Sequence, residues 1–431
     1  MRYFIITVLF LCTGFVAFSS FEMNENMSDS YSYLIDLNFA ESQKFLDQEK
    51  ELNINNGIIH LYENYIDFLT LLIGEDEELF LELSKAKSFR IHSIKGNDSS
   101  SPFYLYIQAE INLQWAFTRL KFKDYLNAVY EIQKAYFLLK KNEELFPDFV
   151  LNGKGLGVLY CLIGSIPSEY KWATQLIGMH GGIKKGISEI NKFLLVTEVN
   201  PKYQKYNIEA LFLLSFLHIN ITHDRSAYQS LLNKINERYK ENDLLAFAAA
   251  RLANKLGKND LVIEILTNRL NTNDRFPIHY LDYLLGMSRL YNLDYKAAFL
   301  DFQSFLDNFN GLNYIKSAYH KLALISFLQG DEENMKEYSK LVLVEGVSII
   351  DEDKKAESEM KKNKRFNRSL LKAQFLYDGG DYLEALNELG GIQDSLDIEY
   401  CAEYFYRKGR IYQQLNKKSS EVMDIFYKSY E

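Results

Sequence analysis

The chain has 431 residues, 47% apolar and 25% charged, with a net charge of −9. That is ordinary for folded material and long enough for two or three domains or one elongated array. The negative balance excludes general binding to nucleic acid, which needs a concentrated basic face. Only five prolines interrupt the pattern, while 31 Tyr and 30 Phe lift the aromatic share to 15%.

Met1-Arg2, the apolar run "YFIITVLFLCTGFVAF" and the small residues of "AFSS" predict an export signal over residues 1–20, cleaved near Ser19 or Ser20. A run of this length would also nearly span a bilayer, so a retained anchor is the alternative. Cys12 lacks the small preceding residues of a lipobox. Cys161 and Cys401 lie in apolar helical surroundings and read as buried thiols, not as a disulfide or a metal motif.

Beyond residue 20 the apolar period is 3.6 almost throughout, with hardly any alternating runs. "YLIDLNFAESQKFLDQEKELN" predicts an amphipathic helix around Ala40, and two more helices flank "GEDEE". In "WAFTRLKFKDYLNAVYEI", Ala116 stands twelve positions before Ala128 around the turn "KDY". The same spacing returns three times: Gly286 to Ala298 with Phe302 beyond, Ala323 to Met335 around "QGD", and Ala373 to Ala385 around "GGDY". "AARLANKLGKNDLVIEIL" and "RKGRIYQQLNKKSSEVMDIF" are weaker copies. Two antiparallel helices approach closely only where small side chains face each other, and the Asp of each turn can cap the second helix.

The stretch "GKGLGVLYCLIGSIPSEYKW" places Lys154 between glycines. A phosphate loop requires G-x-x-x-x-G-K-[ST], but Gly155 stands where the hydroxyl residue belongs and no glycine lies five before Gly153. The dinucleotide pattern fails at Tyr160. Glycines 153, 157, 164, 178, 182 and 186 recur mostly at helical spacing, which predicts two closely packed helices over 152–192. Pro167 ends the first, leaving an exposed elbow at Tyr170, Lys171 and Trp172.

His218 and His223 lie five apart beside Asp224. An unbroken helix turns them away from each other, and H-E-x-x-H fails at Ile219 and Thr222. Only a break near Asn220 would bring them together. His180 is a lone imidazole near a turn. The charged run "DEDKKAESEMKKNKRFNR" has no apolar face through its middle and reads as a solvated loop or exposed helix. The organisation expected is a divergent helical region at 28–200, repeats at 201–350, a charged linker at 351–368 and a closing pair at 369–431.

The recurring pattern "LG..Y...GDY..AL..F" resembles the tetratricopeptide repeat, over about Tyr104–Lys141 and Leu244–Glu431. The motif "G.G..Y...G.IP..YKW...L.GM.G....G", over Asn152–Lys192, is similar to the divergent tetratricopeptide-repeat-39 proteins of eukaryotes and to uncharacterised exported tetratricopeptide proteins of Bacteroidota. The resemblance implies an all-α right-handed solenoid of helical hairpins, a scaffold with no catalytic residues to carry over. The export signal departs from the eukaryotic relatives, so their intracellular roles do not transfer.

A solenoid of this kind presents a concave face lined by first helices. Helical phase puts Tyr280, Tyr283, Ser317, His320, Asn367, Gln374, Tyr377, Tyr406, Arg410 and Gln413 there. The expectation is a non-catalytic exported scaffold binding a protein or peptide partner at the bacterial cell envelope, with no cofactor and no nucleic acid. A retained anchor would give peripheral membrane association, and the oligomeric state is open. The alternatives are an accessory subunit for outer-membrane assembly or uptake, and an enzyme with a site near His180 or His218/His223.

Overall fold

The computed structural model describes residues 21–167, 178–270, 272–392 and 396–429. The export signal expected at 1–20 and the elbow at 170–172 lie outside them. Among the described residues there are 21 α-helices and no strand, packed in consecutive antiparallel pairs as an all-α helical solenoid. In chain order these are α1 (Glu25–Ile35), α2 (Phe39–Asn53), α3 (Ile58–Gly74), α4 (Glu77–Lys95), α5 (Pro102–Lys121), α6 (Tyr125–Leu145) and α7 (Leu151–Ser165). They continue as α8 (Ile183–Val199), α9 (Asn207–Leu217), α10 (Arg225–Ile235), α11 (Asp243–Lys255), α12 (Asn259–Thr267), α13 (Tyr280–Tyr291) and α14 (Tyr295–Asn308). The last are α15 (Ile315–Gln329), α16 (Glu332–Val344), α17 (Asp351–Lys361), α18 (Arg368–Gly379), α19 (Tyr382–Gly390), α20 (Ile398–Gln414) and α21 (Ser419–Lys428).

The repeated turn has one local cause. Lys123, Leu293, Gly330 and Gly380 all take a left-handed conformation, and each precedes the Asp that starts the next helix. A residue in that conformation ends a helix by turning its amide back on the last turn. Asp294, Asp331 and Asp381 then accept a hydrogen bond from the amide three residues on, which satisfies one of the free N–H groups of the new helix. The small residues read from the spacing, Ala116, Ala128, Ala298, Ala323, Ala373 and Ala385, are all buried between paired helices.

α7 and α8 form the glycine-rich pair. A Cβ at Gly157 would lie 2.6 Å from Ile190 and 3.0 Å from the carbonyl oxygen of Gly186, so only glycine permits this approach. One hydrophobic core runs from Phe21 to Leu285, crossing residues 200 and 201 without a break. The Tyr31 ring, tilted against Tyr62 and edge-on to Tyr206, joins its two sides. A second core spans Tyr283 to Phe375 and a third closes the C-terminal hairpins.

Inside the first core lies a sealed polar centre. Lys154 Nζ, only 3% exposed as a residue, sits 2.9 Å from both Glu110 Oε2 and Glu209 Oε1 and donates to the Tyr65 hydroxyl at 2.8 Å. Tyr31 donates to Glu209 Oε2 at 2.7 Å, and Tyr65 donates to Glu209 Oε1. The cavity beside it, lined by Tyr31, Tyr62, Tyr65, Tyr106 and Tyr206, leaves 10 Å³ for a water's centre, about enough for a single molecule. Burial raises the pKa of the Glu110 carboxyl, against the pull of Lys154, and Glu110 Oε1 has no partner.

The start of the chain is tied to its middle. Glu75, at the end of α3, accepts hydrogen bonds from the Leu312 and Asn313 amides and the Asn313 side chain at 2.7–3.1 Å. The Phe276 amide donates to the Leu37 carbonyl, and Asn242 Nδ2 donates to the Ile35 carbonyl and to Asp36.

The charged stretch expected as a solvated loop or exposed helix is in part α17, and it buries one face: Asp353, Ala356 and Met360 are inside. Sequence periodicity missed this because an aspartate occupies a core position. Asp353 is 0% exposed and accepts from the amides of Tyr314 at 2.7 Å and Ser317 at 2.9 Å, capping α15 from another helix. Burial pushes its pKa up to about 6 from 3.8, against those two bonds. Between these values the folded chain holds a proton that the unfolded chain has lost, so this group's contribution to folding stability is full below about pH 4 and is lost as pH rises through about 6. In urea titrations across that range, Asp353→Asn is expected to flatten the fall; an unchanged slope would assign it to other groups, such as Asp301, whose pKa is also raised to about 6 by burial.

Candidate functional site

In the C-terminal half, α11, α13, α15, α17, α18 and α20 turn charged and aromatic side chains toward one another. α17 packs beside α15, while α18 packs back against α13. Arg251 of α11 donates to the Tyr280 hydroxyl at 3.3 Å. The rings of Tyr280, Tyr283 and Tyr314 cluster with centroids 4.5–5.7 Å apart, Tyr280 stacked on Tyr283 and Tyr314 tilted against both, a spacing at which aromatic pairs attract beyond their burial.

Lys321 of α15 has its pKa pushed down to about 8 by burial and by the Lys355 ammonium of α17. Burial raises the pKa of the Asp378 carboxyl, opposed by Lys321 and Arg407, and that carboxyl in turn adds to the burial that raises the Tyr291 pKa. Glu352, Lys355 and Asp378 act on these groups through their charge yet remain exposed, so the half-buried Arg251 and Lys321 lie beside an open surface of mixed charge between α15, α17 and α18, the recess. Among the described residues no carboxylate comes within 4.0 Å of Arg251, Lys321 or Lys355. The half-buried Arg251 and Lys321 and the exposed Lys355 therefore have no ion pair at contact distance, although the charges of Glu352 and Asp378 reach Lys321.

On α18 and α20 the recess continues as a fixed ladder. Arg410 donates from its two Nη atoms to the hydroxyls of Tyr377 and Tyr406, each at 3.1 Å, and its guanidinium lies 5.6 Å and 6.0 Å from those ring centroids. Arg407 donates to Gln374 Oε1 at 2.8 Å and to Glu403 Oε1 at 2.9 Å through Nε. The hydroxyl bonds raise the pKa of Arg410, Tyr406 first, against burial.

Of the ten residues expected on the concave face, the structure brings Tyr280, Gln374, Tyr377, Tyr406 and Arg410 to this recess. Tyr283, Ser317 and His320 are 2–3% exposed and belong to the packing. Tyr283 and Ser317 share a hydrogen bond of 2.8 Å, and His320 Nε2 lies 3.3 Å from Glu359. Burial drives the pKa of His320 well down, with Lys321, Lys355 and Lys364 adding to it, so its imidazole is neutral. These three were misplaced because α17 and α18 cover positions that a simple solenoid leaves open. Asn367 caps α18, accepting from the Leu370 amide at 3.2 Å, and Gln413 is exposed.

The sequence reading missed Arg251, Lys321 and Lys355. The signal available was a lone cation inside an otherwise apolar helix, as in "AFAAARLA" and "YHKLALI". Glu110, Lys154 and Glu209 are likewise charges set in apolar helical surroundings.

The histidine pair sits at the end of α9. The helix does break, into a wider turn over His218–Thr222, and His223 adopts a left-handed conformation. His218 Nδ1 is 2.8 Å from Thr222 Oγ1 and His218 is largely buried, while His223 is exposed. His180 is exposed, with its backbone amide and carbonyl both bonded to the Tyr136 hydroxyl. Among the described residues no three His, Cys, Asp or Glu side chains are grouped to hold a metal ion. Compared with known protein families and with curated proteins, the chain matches none.

Proposed function

We propose that the chain is a non-catalytic scaffold of the tetratricopeptide type, exported to the bacterial cell envelope, that holds a segment of a protein partner in the C-terminal recess. The observation that carries this reading is the set of three unpaired cations, Arg251, Lys321 and Lys355, opening beside the Tyr377–Arg410–Tyr406 ladder. Arg251 and Lys321 are half-buried; a cation drawn partly out of water and lacking a direct ion pair favours an acidic group, and rigid tyrosines add contact area at low entropic cost. An extended chain with acidic residues suits both features. A role in outer-membrane assembly or uptake would be the same act of binding with a particular partner. No described helix is long and apolar enough to cross a membrane.

The test uses immobilised full-length protein and an array of extended peptides graded from acidic to basic. Acidic peptides are expected to bind, and Arg410→Glu is expected to weaken them by roughly tenfold or more, the effect of about 1.4 kcal/mol or greater at a central contact. Lys296→Glu, at an exposed position of α14, serves as the control for net charge. Equal loss in both variants, or no preference for acidic peptides, would remove the recess assignment.

A further inference from the structure

A second concave feature lies far along the chain from the recess, where α1, α8, α9 and the short turns at Pro201–Tyr206 and Asn236–Lys240 meet. It is a cleft of about 450 Å³, a size that admits a small organic molecule and not merely an ion. Ile35 and Ile208 contribute apolar lining, and the rest of the wall is polar.

Two acids, Asp36 and Glu198, and two bases, Lys205 and Arg238, line this cleft, but the bases form no ion pair with the acids. Lys205 is half-buried, and among the described residues its ammonium has no ion pair within 4.0 Å and no hydrogen bond. The Tyr206 ring centroid lies 5.7 Å from it. Burial pushes its pKa down to about 8, against the pull of Asp29 and with a push from Lys202. Arg238 stands at the rim and donates only to neutral oxygens: Asn207 Oδ1 at 2.8 Å, the Lys234 carbonyl at 3.0 Å and the Ile235 carbonyl at 3.4 Å. Burial lowers its pKa as well.

The acids on the same wall are already committed. Glu198 accepts from Lys234 Nζ at 2.7 Å. Asp36 accepts from Asn242 Nδ2 at 2.8 Å, and burial raises the pKa of its carboxyl. What remains is the half-buried Lys205 and the rim Arg238, neither of them, among the described residues, within 4.0 Å of a carboxylate, beside the apolar side chains of Ile35 and Ile208.

We propose that this cleft binds a small organic anion, a carboxylate or a phosphate monoester, with Lys205 and Arg238 as its counter-charges. An anion there gives the half-buried Lys205 a counter-charge and gives Arg238 a charged acceptor in addition to its neutral ones. Ile35 and Ile208 contact the carbon frame, so simple chloride is a poor substitute.

The test reads Lys205 directly. The full-length protein is treated briefly with a dilute amine-acylating reagent at neutral pH, and acylation of Lys205 and of exposed Lys296 is followed by peptide mass spectrometry. Succinate and glycerol phosphate are the two probes, with sodium chloride at matched ionic strength as the control. Lys205 is expected to react faster than Lys296 in buffer, because more of it is the free amine. Either probe is expected to slow Lys205 about fivefold once it stands fourfold above its Kd, with Lys296 unchanged. Protection by one probe alone identifies the head group, and protection by both assigns the shared anion site. Arg238→Gln, at an exposed rim position, is expected to leave Lys205 reactive and abolish the protection. Two results overturn the proposal: protection no greater than that given by chloride at up to about 20 mM probe, or full protection in Arg238→Gln.

Discussion

Replacing Lys154 by methionine is expected to lower folding stability by about 3–5 kcal/mol, the cost of removing one partner from a buried ionic group. The methionine fills most of the same space, so the loss comes from charge and not from a cavity. Glu110 and Glu209 would be left facing each other in a core where Tyr31, Tyr65, Tyr106 and Tyr206 offer hydroxyls but no positive charge. The urea midpoint followed by circular dichroism measures the effect. The variant Glu110→Gln/Lys154→Met/Glu209→Gln is expected to recover much of the loss, since it removes all three charges together. Glu209→Gln alone is expected to cost more than Glu110→Gln. Glu209 holds Lys154, Tyr31 and Tyr65 at once, whereas Glu110 has its pKa raised and an unpartnered oxygen. A fall of less than about 1 kcal/mol for Lys154→Met, the ordinary scale of a point substitution, would mean that water reaches the centre.

The second large effect concerns Gly186. A side chain there would drive its Cβ to 2.5 Å from the carbonyl oxygen of Gly157 and 2.8 Å from the amide nitrogen of Cys161, with the Cys161 sulfur also in the way. Backbone atoms cannot step aside as a flexible side chain can, so α7 and α8 must separate. Gly186→Val is expected to cost about 1–3 kcal/mol or more from overpacking. Gly182→Ser is the matched control: a Cβ there meets nothing within 4 Å, its φ of −172° is extended backbone, and it precedes α8, where serine is a good cap. It is expected to change stability by less than about 0.5 kcal/mol. If both variants unfold at the same urea concentration as the parent, the close approach of α7 and α8 is wrong.

These two residues also show how far the sequence could be read. The twelve-residue spacing of small residues reports helix pairing, because pairing is a local matter of which faces meet, and every small residue so identified is buried. The "GDY" turns were legible for the same reason: a left-handed residue and a capping aspartate are adjacent in the chain. The position of Lys154 was visible too, but only as a failed phosphate motif. Its partners lie 44 positions before it and 55 after it, as set by Glu110 and Glu209, and no local pattern links them. The recess fared similarly. Tyr377, Tyr406 and Arg410 follow from helical phase within one pair of repeats, whereas Tyr283, Ser317 and His320 are covered by helices whose return path the periodicity does not encode.

The tie between Glu75 and residues 312–313 has a consequence for how the chain is made. In a strictly linear array each hairpin rests on its neighbour and can mature as it leaves the ribosome. Here the end of α3 awaits groups 237 and 238 positions downstream, and the end of α1 awaits Asn242. At ~5–20 residues per second, that interval takes roughly ten to fifty seconds to synthesise. Throughout it the first hairpins keep an open seam and Glu75 waits without its amides. A protein that looks modular along its length thus completes its opening segment only after more than two thirds of it exists, and interruptions of synthesis before Asn313 leave the beginning, not just the end, unfinished.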